Sequence, residues 1–231
     1  MIDLNCDMGE LEDAAHEAAL MEHITSANIA CGGHAGDDAT MERTARLALA
    51  RGVRIGAHPG YPDRENFGRI EMPMTAVEIE RTVAEQIRRL EAIVERLGGA
   101  VAYVKPHGAL YNVAVRNTEV ARAIGAAVAG WKPSAPVFGL AGSPMLEVWR
   151  GMGLTPAGEA FADRAYEPDG TLRNRKLAGA LITDPAAAAA QAVRLAREGN
   201  AETICVHGDT PGAVEILRAC RAALKEAKPL R

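Results

Sequence analysis

The chain lacks most of the features that assign a protein quickly. Its four cysteines, Cys6, Cys31, Cys205 and Cys220, form no CxxC pair and stand far apart, so they indicate neither a zinc site nor a disulfide framework. Their expected role is that of small buried hydrophobes. No run approaches the roughly 20 apolar residues of a membrane span. Lys and Arg total 26 against 30 Asp and Glu, mixed along the chain to a net charge of −4, and no basic stripe marks a nucleic-acid partner or an anionic membrane. The opening MIDLNCDMGE carries acids where a secretory signal requires basic and then apolar residues, so the expectation is a soluble, cytoplasmic protein. HxH and HExxH spacings are missing, and so is GxxxxGK[ST]; any ATP must be held by something other than a Walker loop.

What is present is order. The 231 residues are 48% hydrophobic with 23 glycines, ample for a core, and α/β barrels commonly use about 200 to 250 residues as one unit, so a single domain over 1–231 is expected. Apolar runs of β type recur near residues 2–4, 27–30, 53–57, 101–104, 137–140, 158–161, 180–182 and 203–206. Helical patterns separate most of them. The clearest runs from Thr75, where Ile79, Val83, Ile87, Leu90, Val94 and Leu97 recur every three or four residues, with Thr75 and Glu78 at capping-box spacing and Gly98-Gly99 as the stop. Asp37 or Asp38, Ser143, Asp184 and Thr210 are the other expected caps, the last three each followed by proline.

Alternation of β and α implies parallel strands joined by right-handed crossovers, seven or eight in number. A closed (β/α) barrel is favoured over a doubly wound sheet because polar clusters end nearly every strand, whereas a doubly wound sheet gathers its site at one switch point. Residues 162–183 are polar and only weakly strand-like, and read as a lid or excursion as readily as a full repeat.

Four of the strand ends carry histidine: ANIACGGHAGD (27–37), IGAHPGYPD (55–63), VKPHGALYN (104–112) and CVHGDTPGAV (205–214). One histidine after a strand is usually a local hydrogen-bonding residue; four on separate strands, with acids and a lysine among them, point to a shared mouth. Residues two apart on a strand face the same way, which aligns Asp3, Asn5 and Asp7, and likewise Lys105 and His107. The candidate chemistry set is Asp7, His34, His58, Lys105, His107, Glu159 and Asp163. The candidate binding set is Asn5, Ser143, Arg164, His207 and Asp209. His16 and His23 lie in a helical stretch and read as surface or packing residues. Two chemistries remain open on the residues alone. One is a divalent metal on histidines and a carboxylate, with Asp7, His34 and His58 as the ligand set; the other is metal-free acid–base catalysis, with an acid activating water while Lys105 and histidines neutralise oxyanion charge. GLAGSP (139–144) and HGDTPG (207–212) add helix starts suited to a carboxylate or phosphate.

The ordered motifs DLNCDMGE, ANIACGGHAGD, IGAHPGYPD with NFGR, VKPHGALYN, GLAGS, EAFADRAY with DG, and CVHGDTPGAV resemble the LamB/YcsF family over residues 2 to about 215. The resemblance implies a seven-stranded TIM-like barrel of the glycoside hydrolase and deacetylase type. It further implies the A component of a three-part 5-oxoprolinase, which opens 5-oxo-L-proline to L-glutamate while ATP, with Mg, becomes ADP and phosphate, working with two other subunits, B and C; self-association is left open. The competing readings are a metal-dependent deacetylase or amidohydrolase without ATP and a non-catalytic lactam-binding subunit. Asp7 or Glu159 is then expected to activate water, Lys105 and His107 to neutralise oxygens, and Arg164 to grip a carboxylate or phosphate. Alanine at Lys105 or Asp7 is expected to abolish turnover with the unfolding midpoint nearly unchanged. The chain departs from the family pattern in its short first loop after Glu10, at Gly33 before His34, and at Asn66 and Ile70 around FGR. These positions lie in mouth loops, where substrate contacts are made.

Overall fold

The computed structural model describes residues 2–11 and 13–227. Seven parallel strands close into a barrel in sequence order: β1 (Asp3–Met8), β2 (Ser26–Ala30), β3 (Arg54–His58), β4 (Val101–Val104), β5 (Pro136–Leu140), β6 (Thr155–Phe161) and β7 (Thr203–Val206), with β1 paired to both β2 and β7. Among the described residues, eight helices lie around it: α1 (Ala14–Met21), α2 (Asp38–Arg51), α3 (Ala76–Arg96), α4 (Gly108–Arg116), α5 (Thr118–Trp131), α6 (Pro144–Gly151), α7 (Pro185–Arg197) and α8 (Ala213–Glu226). No helix among the described residues is long and apolar enough to cross a membrane.

The apolar run at 180–182 is not a barrel strand. The segment after β6 folds back on itself through single antiparallel bridges, Arg164 with Leu181 and Tyr166 with Leu172, so 164–182 is an excursion over the mouth. The physical reason lies in its composition: charged residues and Gly170 and Gly179 in left-handed turns leave no continuous apolar face to pack between strand and helix.

Outward residues of the strands, such as Leu4, Cys6, Met8, Ile29, Ile204 and Val206, pack under the helices and make the apolar core. All four cysteines are buried there or in the barrel, and burial raises each thiol above its usual range, which keeps them protonated. The barrel interior is mostly polar. Its lower part is filled by Tyr103 stacked on Phe138, ring centroids 4.2 Å apart, and a Cβ at Gly56 would lie 2.1 Å from the Tyr103 ring, so only glycine admits that ring.

Local signals mostly place the helices. α3 carries the expected capping box at Thr75 and Glu78 and buries its stripe; Asp37 caps α2, which Gly52 ends in a left-handed turn; Asp184 caps α7. Two caps differ. Ser143 precedes α6 but its hydroxyl donates back to the Leu140 carbonyl and caps nothing. Thr210 donates instead to Asp163, and α8 starts later, at Ala213 after Gly212.

Candidate active site at the barrel mouth

The C-terminal ends of the strands meet around a cavity of about 750 Å³. Its floor centres on Lys105, just past β4 and buried. The Lys105 ammonium lies 2.8 Å from Asp7 Oδ1, 3.0 Å from Glu159 Oε1, 3.1 Å from Cys205 Sγ and 3.4 Å from Asn5 Oδ1. Asn28, from β2, donates to both Asp7 and Asn5, and the Tyr103 hydroxyl donates in turn to Asn28 Oδ1, so a relay up the barrel wall fixes the Asp7 carboxylate. Burial works against the charges of this group, but His58 and Lys105 hold Asp7 well below the usual carboxylate range, and Asp7 and Glu159 hold Lys105 well above its ordinary value. Lys105 is therefore a fixed cation that donates hydrogen bonds, and no base at neutral pH. Glu159 sits beneath. Its contact with Lys105 is out of line for a hydrogen bond, and neither of its oxygens, nor the nearby Tyr111 hydroxyl, has a hydrogen-bond partner among the described residues. Asp7 and Lys105 line the main cavity, whereas Glu159 lines a smaller one behind β6.

This burial alters one expectation. Removing Lys105 leaves two buried carboxylates without their cation, a change that typically costs about 3 to 5 kcal/mol, so the unfolding midpoint falls together with any turnover.

One wall is built of histidines. His58 ends β3, and its Nδ1 lies 2.8 Å from the Lys105 carbonyl; His107 precedes α4, and its Nε2 lies 2.9 Å from the Phe67 carbonyl. A carbonyl only accepts, so these nitrogens carry the hydrogens, and His58 Nε2 and His107 Nδ1 face each other at 3.0 Å. His34 stacks on His107 at 3.5 Å, and its Nε2 lies 2.8 Å from Glu10 Oε1. Glu10 Oε1 is also 3.2 Å from His107 Nδ1 and 3.7 Å from His58 Nε2. Burial, with His107 beside it, pulls His34 down to about 3. Burial also lowers His107, while Asp7 raises His58 against its burial; His107 and His34 hold Glu10 far below its ordinary value. Two glycines make the histidine stack fit. A Cβ at Gly60 would lie 2.8 Å from His34 Nδ1, and one at Gly68, whose φ is +62°, would lie 2.7 Å from His34 Cβ.

The opposite side is basic. Arg164, at the start of the excursion, donates to the Arg173 carbonyl, and the Nε atoms of both arginines are buried without a partner among the described residues. Burial and the adjacent Arg175 pull Arg164 down to about 10. Asp209 neutralises Arg175 and Arg69 in a bidentate and a single contact, which leaves Arg164 and Arg173 with unspent donors. Asp163 lies below, fully buried. It receives the His207 backbone N–H at 3.1 Å, the His207 ring at 3.0 Å and the Thr210 hydroxyl, and these hold its carboxyl below the usual range in spite of burial. Asp163 thus ties the turn after β7 to the base of the excursion.

Of the residues singled out in sequence, Asp7, His58, Lys105, His107, Arg164, His207 and Asp209 line the main cavity. His34 stands directly behind His107, Asn5 and Glu159 lie in the barrel below, Asp163 braces His207, and Ser143 is turned away into its own loop. Glu10, Asn28 and Tyr103 join the set from the structure alone. The donor group that a metal could use also differs from Asp7, His34 and His58. Asp7 is already committed to Lys105 and Asn28, and the convergent atoms belong to Glu10, His34, His58 and His107, all within 4.8 Å of one another.

The sequence pattern of the LamB/YcsF family matches residues 2–229. The chain belongs to that family. It is 47% identical to a Chloroflexus aggregans protein named as the A component of 5-oxoprolinase, with 98% of this chain and 96% of that one covered, and 46% identical to the protein of the same name from Heliobacterium modesticaldum, with 98% and 95% covered. The crystal structure of a lactam utilization protein from Thermus thermophilus superposes with a TM-score of 0.89 at 40% identity, covering 98% of this chain and 96% of that one. The barrel of this LamB/YcsF chain is thus shared with the Thermus structure, and the match runs over nearly the whole of this chain and of each relative.

Proposed function

We propose that this chain is the lactam-opening component, A, of an ATP-dependent 5-oxoprolinase that works with two further subunits, B and C. The observation that carries the reading is one cavity with a buried acid–lysine floor and an arginine with free donors at its side, in a chain nearly half identical to proteins named for that enzyme.

5-Oxoproline is a small anion with a resonance-stabilised amide. Arg164 suits its carboxylate, and the Lys105 ammonium suits the lactam oxygen or a phosphoryl group placed on it, because a fixed cation in a buried site stabilises developing oxyanion charge without reorganising. Phosphorylation of that oxygen by ATP, with Mg, makes the ring carbon electrophilic. Water adds to that carbon, the ring C–N bond breaks as nitrogen takes a proton, and a second water hydrolyses the resulting acyl phosphate to glutamate and phosphate, leaving ADP. The first water makes the attack that opens the ring. Asp7 rather than Glu159 is the group placed to orient and deprotonate that water, since it lines the cavity. Asn28 and Lys105 hold it in one orientation. The reading without ATP, a metal-dependent amide hydrolase, draws on the Glu10–histidine group.

Reconstitution with the B and C partners separates the readings. Glutamate formation from 5-oxoproline is expected to require ATP and all three components; glutamate formed by this chain alone, without ATP, overturns the proposal. Turnover that survives substitution of Asp7 and Lys105 would instead make this chain a lactam-binding component.

A further inference from the structure

We propose that Glu10, His58 and His107 form a binding site for one divalent transition-metal ion, of the zinc or cobalt class, in the wall of the cavity. Both imidazole tautomers are set by backbone carbonyls, of Lys105 and Phe67, so in the neutral rings the lone pairs of His58 Nε2 and His107 Nδ1 point at each other across 3.0 Å. Two lone pairs repel at that distance, and a carboxylate oxygen 3.2 and 3.7 Å away adds a third electron-rich atom. Such a triangle is stable around a cation.

The triangle has the size of a metal site. Zinc–nitrogen and zinc–oxygen bonds of about 2.0 to 2.2 Å place tetrahedral ligands about 3.3 to 3.6 Å apart, and the three separations here are 3.0, 3.2 and 3.7 Å. The surrounding contacts are those a metal ligand needs. Each histidine gives its other N–H to a carbonyl, and Glu10 is gripped by His34 Nε2 at 2.8 Å, an outer partner that orients the carboxylate. All three ligands line the cavity while His34 does not, so a fourth position opens toward the substrate space, as in zinc sites that keep one position for water or substrate. An ion there supplies a Lewis acid beside Asp7.

The neighbouring group of Asp7, Cys205 and His207 is a different case. The Lys105 ammonium, 2.8 Å from Asp7 and 3.1 Å from Cys205, is already its cation.

The test reads the metal alone, so it stands or falls independently of lactam opening. Protein stripped with chelator is titrated with Zn2+ by calorimetry and with Co2+ by visible absorption. The expected result is one ion per chain, with Co2+ bands of a low-symmetry four- or five-coordinate site. Glu10→Gln and His107→Asn are expected to weaken binding more than about 100-fold, and His34→Asn about 10 to 100-fold, while His16→Asn binds as the parent does. Circular dichroism checks that each variant is folded, and if one is not, the stoichiometry and Co2+ spectrum of the unsubstituted protein decide. Absence of stoichiometric binding, or parental affinity in folded Glu10→Gln and His107→Asn, overturns the proposal and leaves a proton as the bridging cation.

Discussion

The two sides of the mouth are made differently. On the side of β1 to β4, Glu10, His34, His58 and His107 are packed together, with His34 stacked on His107 and the rings of His58 and His107 fixed by backbone carbonyls, so each ring has one orientation. On the side of β6 and β7, an excursion held by isolated bridges presents arginines, two of which have unspent donors. Rigidity suits groups that must hold reacting atoms in place, and adaptable cationic donors suit recognition of an anion. Lys105 joins the two sides, because its carbonyl fixes His58 while its ammonium lies over the barrel acids.

Breaking that junction should have the largest effect. Lys105→Met is expected to lower turnover of the assembled complex by about 10² to 10⁴-fold and to cost about 3 to 5 kcal/mol in denaturant unfolding; parental stability would mean that the cation is not what holds Asp7 and Glu159 in the barrel. Asp163→Asn tests the brace beneath the excursion. Its folded carboxyl is depressed, so its stabilisation is fully present above the unfolded value of about 3.9 and is lost as pH falls through the folded one. The variant should therefore be less stable by about 2 kcal/mol at pH 7, with the gap to the parent closing below about pH 4; a gap constant with pH would contradict the charge-based account. The smallest effect is expected for Arg164→Gln, a rise in KM for 5-oxoproline of about tenfold with kcat less affected. An equal loss in kcat would move Arg164 from recognition to the chemical step.

Much of this division is legible in the sequence. Asp7, Lys105 and the mouth histidines stand where period-two strands end, and the barrel follows from their number and order. Glu10 escapes the same logic because it lies beyond the alternation of β1, past a left-handed Gly9 that redirects the chain across the mouth. Tyr103 is within reach, two residues before Lys105 on the same face, but aromatic residues on strands usually signal core, and its hydroxyl partner Asn28 comes from another strand. The cap expected at Thr210 fails for a tertiary reason. Its hydroxyl serves Asp163, far earlier in the chain, and local spacing carries no trace of such a partner.

The closure of β1 against β7 also bears on how the molecule is made. Asn5 donates to the Thr203 hydroxyl at 2.7 Å, and Thr203 donates to Asp3, contacts that bring together residues from opposite ends of the sequence. A ribosome delivers Asp7 first and Lys105 midway, yet the Cys205 side of their enclosure is synthesised near the end. Until then both charges remain in water, and the pairing of β1 with β7 waits on the longest loop closure in the barrel. The centre thus assembles late and as a whole, so a nascent or truncated chain lacking β7 carries the right residues with no enclosed site in which to use them.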